Sequence, residues 1–193
     1  MASFEGTMVL GRPRVAKAPL LWKIRNLRYM VQSWRLVIAK IFNISTFYGT
    51  LEVQLRRKDG SIVNYGVVSH RVVTTAFVNA MQASLDVGDA NWPNYKYHDC
   101  GTSSQAPAVG DTAMIAQYGG ARATGSQEVG ASANIYKSIG TVSFTGTLTI
   151  QEHGVCDEVT SGTLMDRSTF TGIGVENGDS IQFTYNLTCT AGG

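Results

Sequence analysis

Acidic side chains are missing from a long opening stretch of this chain. Between Gly6 and Leu51 there is none, against eight basic residues: Arg12, Arg14, Lys17, Lys23, Arg25, Arg28, Arg35 and Lys40. Beyond Leu51 the balance reverses to eight basic and 13 acidic residues, so the formal net charge of +2 hides a basic arm on an acidic body. Charge is sparse throughout, at 16% of 193 residues, while a hydrophobic content of 44% excludes wholesale disorder. No run of eighteen apolar residues occurs, so no membrane-spanning helix is expected. The opening MASFEGTMVLGRPR lacks the order of a secretion signal. Cysteine is scarce too. Cys100, Cys156 and Cys189 are odd in number and without CxxC spacing, which points to reduced thiols rather than a disulfide framework.

Motifs that carry chemistry are equally few. His98 with Cys100 and His153 with Cys156 are the only pairs resembling metal ligands, and their spacings fit neither a zinc finger nor a zinc ribbon. Strand alternation would put His98 and Cys100 on one face, but no third group orients either pair as nucleophile and base. Glu152 and Asp157 flank His153, and Asp166 adjoins Arg167. These charges read as solvated or ion-paired, with Arg167 or His153 as a structural partner for Glu152. Gly119-Gly120 and Gly125 form neither GxGxxG nor a P-loop. No catalytic residue, metal or cofactor is expected.

What is present is β structure. In Thr141–Gln151, TVSFTGTLTIQ, apolar Val142, Phe144, Leu148 and Ile150 alternate with Thr and Ser, the period of a half-buried strand. Ile181, Phe183, Tyr185, Leu187 and Cys189 repeat the pattern near the C-terminus. Leu51 to Val68 reads as a hairpin turning at Lys58-Asp59-Gly60-Ser61. Further strands are expected at Tyr95 to Cys100 and Thr163 to Thr171. Thr74 or Thr75 would cap a helix bearing Phe77, Val78, Met81 and Leu85, and a short helix or turn is expected from Asp111 to Gln117.

Before the hairpin, Leu20, Ile24, Leu27, Val31, Trp34, Ile38 and Ile41 are spaced 4, 3, 4, 3, 4, 3, the stripe of an amphipathic helix with basic residues off it. Packing on the body, a protein partner, a membrane surface and nucleic acid all remain open for it. Trp92, with Tyr95, Tyr97 and Tyr118, would supply an aromatic surface for a receptor or glycan if the rings are not packed inside.

Residues 65 to 193 also carry a familiar order of features. A Gly101-Thr102 entry is followed by a Thr-rich strand ending in Glu152-His153-Gly154. Asp166-Arg167-Ser168-Thr169-Phe170 comes next, and then the GDSIQFTY strand from Gly178 to Tyr185. In this the chain resembles small tailed-bacteriophage virion proteins, described as tail-fibre-like or head-decorating. The resemblance implies a structural protein, assembled with other virion proteins, and no active site.

The fold expected is mainly β, an antiparallel β-sandwich over residues 49–193 with one peripheral helix, preceded by a basic arm and amphipathic helix in residues 1–48. The function expected is a virion structural protein, a capsid-decorating or head-fibre subunit attached through that segment. A tail, collar or fibre-adaptor subunit and a receptor- or glycan-binding module are the alternatives. Partner contacts are expected at Arg12, Arg14, Lys17, Lys23, Arg25, Arg28, Arg35, Lys40 and Trp92. Homo-oligomers are expected, since weak basic arms gain from multivalency; nucleic acid is not an expected partner. Localisation to the virion follows, after synthesis in the host cytoplasm.

Overall fold

A computed structural model describes residues 15–30, 46–87, 94–119 and 121–190. The chain is mainly β, with ten strands and two helices among them. In chain order these are β1 (Val15–Lys17), α1 (Leu20–Met30), β2 (Thr46–Arg56), β3 (Ile62–Val73) and α2 (Thr75–Val87). They are followed by β4 (Tyr97–Gly101), β5 (Ala123–Thr124), β6 (Ser126–Val129), β7 (Ile135–Ser143), β8 (Leu148–Cys156), β9 (Leu164–Val175) and β10 (Ser180–Thr190).

The strands follow one hydrogen-bonded order, β5-β4-β8-β9-β3-β2-β10-β7-β6. That path divides into two sheets at β3. The first holds β3, β2, β10, β7 and β6, with β1 added parallel to the start of β3. The second holds β9, β8, β4 and β5. Among the described residues, the strand pairing between them is that of Val72 and Val73, at the end of β3, with Arg167 and Asp166 of β9. Leu51, Val53, Leu55, Ile181 and Phe183 of the first sheet pack in one buried cluster with Ile150, Phe170, Ile173 and Val175 of the second. Each such side chain contributes ~1.5–3 kcal/mol by leaving water.

The Asp-Gly hairpin forms as its sequence predicts. Asp59 accepts the Ser61 backbone N–H on its carboxylate, and Gly60 adopts the left-handed φ of 81° that closes the turn. Thr74 caps α2 by accepting the Phe77 N–H at 3.1 Å while donating to carbonyls of β9. Of the helix face read as apolar, Phe77 is buried, whereas Val78 and Leu85 are exposed. Residues 102–116 form no helix; Asp111 instead accepts from the Ala108 N–H and pairs with Arg167.

Thr141–Gln151 differs from its sequence reading. It is not one strand but the end of β7 and the start of β8, which lie in different sheets. Between them Phe144 exchanges backbone hydrogen bonds with the Asp179 carbonyl and the Gly178 N–H, and the chain bends through Thr145-Gly146. The alternation survives the crossing because Val142, Phe144 and Ile150 all point into the cluster the two sheets share.

Candidate functional site

Two regions hold the side chains that sequence singles out. The first is a buried polar system across β4, β8 and β9. A register shift between Ile150 and Glu152 reverses the alternation of β8. His153 thereby turns inward against Phe183, ring centroids 4.2 Å apart, while Glu152 faces the 102–118 segment.

His98 Nδ1 lies 3.0 Å from His153 Nε2, and its Nε2 lies 2.8 Å from Ser138 Oγ on β7. His98 therefore stitches the second sheet to the first along the edge away from β3. The backbone has made room for it: a Cβ at Gly140 would lie 2.5 Å from the His98 ring.

On the other side of β8, Glu152 accepts Arg167 Nε at 2.6 Å and the Ile115 and Ala116 N–H groups. Arg167 is wholly buried and also donates to Asp111 and to the Gln105 carbonyl. Every charge in this group is answered, as a buried ion pair requires. The system ties the irregular 102–118 segment onto the sheet.

Nearby, burial pushes the Asp99 carboxyl above its ordinary range, against the pull of Arg122 at 2.9 Å. Burial pushes the Cys156 thiol up to about 12 and Cys100 further still. Such thiols are poor nucleophiles and poor metal ligands at neutral pH. All three cysteines are free, and among the described residues no group of three or more His, Cys, Asp or Glu could hold a metal ion. His98, His153, Glu152 and Arg167 are all at zero exposure, which gives them a structural use in this conformation.

The second region is α1, which lies on the surface. It covers the gap where β3 and β9 part before they pair at Val72 and Val73. Asn26 fills the place of the missing ladder bonds. Its Nδ2 donates to the Val68 carbonyl of β3 at 2.7 Å, and its Oδ1 accepts the Thr171 N–H of β9 at 3.0 Å. Trp22 Nε1 is shared between the Thr171 and Gly172 carbonyls, and its ring meets Tyr65 edge-on at 4.6 Å. Tyr29 completes the buried face.

Packing of the Leu20, Ile24, Leu27 stripe on the body was one of the readings open to the sequence. These three side chains do not pack on it, while Val31, Trp34, Ile38 and Ile41 of the same stripe lie outside the described residues. Leu20, Leu21, Ile24 and Leu27 are between 53% and 73% exposed. On a helix of 3.6 residues per turn they lie nearly opposite Trp22, Asn26 and Tyr29. Lys23 flanks the exposed row on one side, and Arg28 and Arg25 on the other; all three are exposed. Arg28 is held by the Tyr29 hydroxyl at 2.8 Å, with its guanidinium over the Tyr29 ring.

Of the predicted partner-binding residues, Lys17, Lys23, Arg25 and Arg28 fall on β1 and α1 and are exposed. Arg12, Arg14, Arg35, Lys40 and Trp92 lie outside the described residues. Sequence reasoning missed the anchoring face. Its signal was present, since Trp22, Asn26 and Tyr29 have the same i, i+4, i+7 spacing as Leu20, Ile24 and Leu27. The presence of Asn in the triplet hid it. No helix among the described residues is long and apolar enough to cross a membrane. Comparison with protein-family models, curated proteins and solved structures returned no match.

Proposed function

We propose that this chain is a non-enzymatic structural subunit of a tailed-bacteriophage particle, a capsid-decorating or head-fibre protein with a β-sandwich body. One observation carries the reading: α1 is fixed to the body by one face and offers solvent an apolar row with basic flanks. A body that needs only to fold does not need such a surface, since clustered exposed apolar side chains rimmed by polar residues mark interaction sites. The motif residues behind the virion resemblance support a scaffold role. Glu152, His153 and Arg167 are all engaged in holding strands and the 102–118 segment together. In this reading the basic N-terminal segment attaches the subunit to an acidic surface on the particle. Several copies would make a set of weak contacts strong. A tail, collar or fibre-adaptor subunit would use the same surface and is the alternative.

Cryo-electron imaging of particles of the virus that encodes the chain tests this. The chain is expected as ordered density on the particle surface, with its occupancy lowered by combining Lys23→Glu, Arg25→Glu and Arg28→Glu. A chain missing from purified particles overturns the proposal. Surface substitutions are the proper probe, because removing α1 altogether would also strip Asn26 and Trp22 from β3 and β9.

A further inference from the structure

We infer that the outward face of α1 is a docking site for another protein, and that the docked surface is an acidic amphipathic helix. The inference deepens the attachment reading and rests on it for its biological setting alone. Leu20, Ile24 and Leu27 repeat at four and three residues, the narrow seam by which helices pair, with Leu21 beside them. Lys23 lies along one margin of that seam and Arg28 along the other, the positions at which a coiled-coil partner places its charged flanking residues, with Arg25 further round the helix. Both margins are basic, and no acidic residue occurs between Gly6 and Leu51 to balance them. Carboxylates on the partner's flanks complete the pairing.

The same charges exclude a second copy of this helix, because either orientation would set basic margin against basic margin. A lipid surface fits less well. Helices that lie in a bilayer interface present a broad apolar face with Trp or Phe in it. Here the exposed row is narrow and aliphatic, and the aromatic residues of α1, Trp22 and Tyr29, are turned into the body.

The test uses the full chain and a synthetic helical peptide with leucine at the a and d heptad positions and glutamate at e and g. A copy with lysine at e and g, and vesicles containing phosphatidylserine, serve as controls. The glutamate peptide is expected to bind, more weakly as salt rises. Ile24→Glu combined with Leu27→Glu, and separately Lys23→Glu combined with Arg28→Glu, are each expected to weaken binding at least about tenfold with no change in melting temperature. No binding of the glutamate peptide, equal binding of the lysine peptide, vesicle binding sensitive to Ile24→Glu and Leu27→Glu, or self-association sensitive to them would each overturn the inference. If the Ile24→Glu, Leu27→Glu protein loses the peptide yet enters particles at normal occupancy, the attachment role fails while the docking face stands.

Discussion

Asn26 supplies a donor and an acceptor to two strands that have parted, and it does so at 3% exposure. Asn26→Leu would leave the Val68 carbonyl and the Thr171 N–H without that partner, and a buried group left so costs about 1–3 kcal/mol. Urea unfolding is expected to record a loss of about 2–4 kcal/mol, on the same principle, whereas Leu27→Ala on the opposite face is expected to stay within about 0.5 kcal/mol. Glu152→Ala would leave Arg167, at zero exposure, with Asp111 as its remaining ionic partner, so urea unfolding is expected to show a loss below the ~3–5 kcal/mol of a fully unpaired buried charge. Asp179 gives the pH dependence. Burial pushes its carboxyl up, but N–H groups of Glu176 and Lys58 and the Arg57 guanidinium at 2.7 Å outweigh that and hold it below the usual range. A folded carboxyl held low contributes stability at pH values above its unfolded pKa of about 3.9, and that contribution is lost as pH falls through the lower folded value. In chemical unfolding between neutral pH and pH 3, Asp179→Asn is expected to be less stable than the parent at neutral pH. The gap is expected to narrow on acidification.

At the level of elements, period-two alternation located β10 and the end of β7, which bury one face only. It could not say which sheet a strand joins. Val142, Phe144 and Ile150 keep one parity across a sheet change, so the crossing at Phe144–Thr147 leaves no break in the pattern. The β8 register shift was hidden for a related reason: a bulge is specified by its partner strand, and Gln151 alone does not announce it. The Asp59-Gly60 turn was legible because its geometry is local. The approach of His98 to Gly140 was not, since it joins residues of different sheets. Gly140→Ala tests that approach. A methyl 2.5 Å from the His98 ring has to push β4 from β7, and overpacking of this kind costs about 1–3 kcal/mol. Thermal unfolding is expected to show the loss, with partial recovery when His98→Ala is added.

Across the whole molecule, the two sheets are held along one edge by the His98–Ser138 contact and along the other by α1 lying over β3 and β9. The charge asymmetry that made the N-terminal segment a candidate site was visible in composition, and Lys23, Arg25 and Arg28 do face solvent. Its orientation was not visible, because two stripes of equal spacing run along α1 and the more apolar one faces outward. Burial went instead to the stripe that could satisfy open strand edges, since hydrogen bonds to Val68, Thr171 and Gly172 are available only to Trp22 and Asn26. This placement gives α1 a mechanical character. Tension applied to anything held on its outer face enters the body through Asn26 and Trp22 and is divided between β3 and β9, one strand from each sheet.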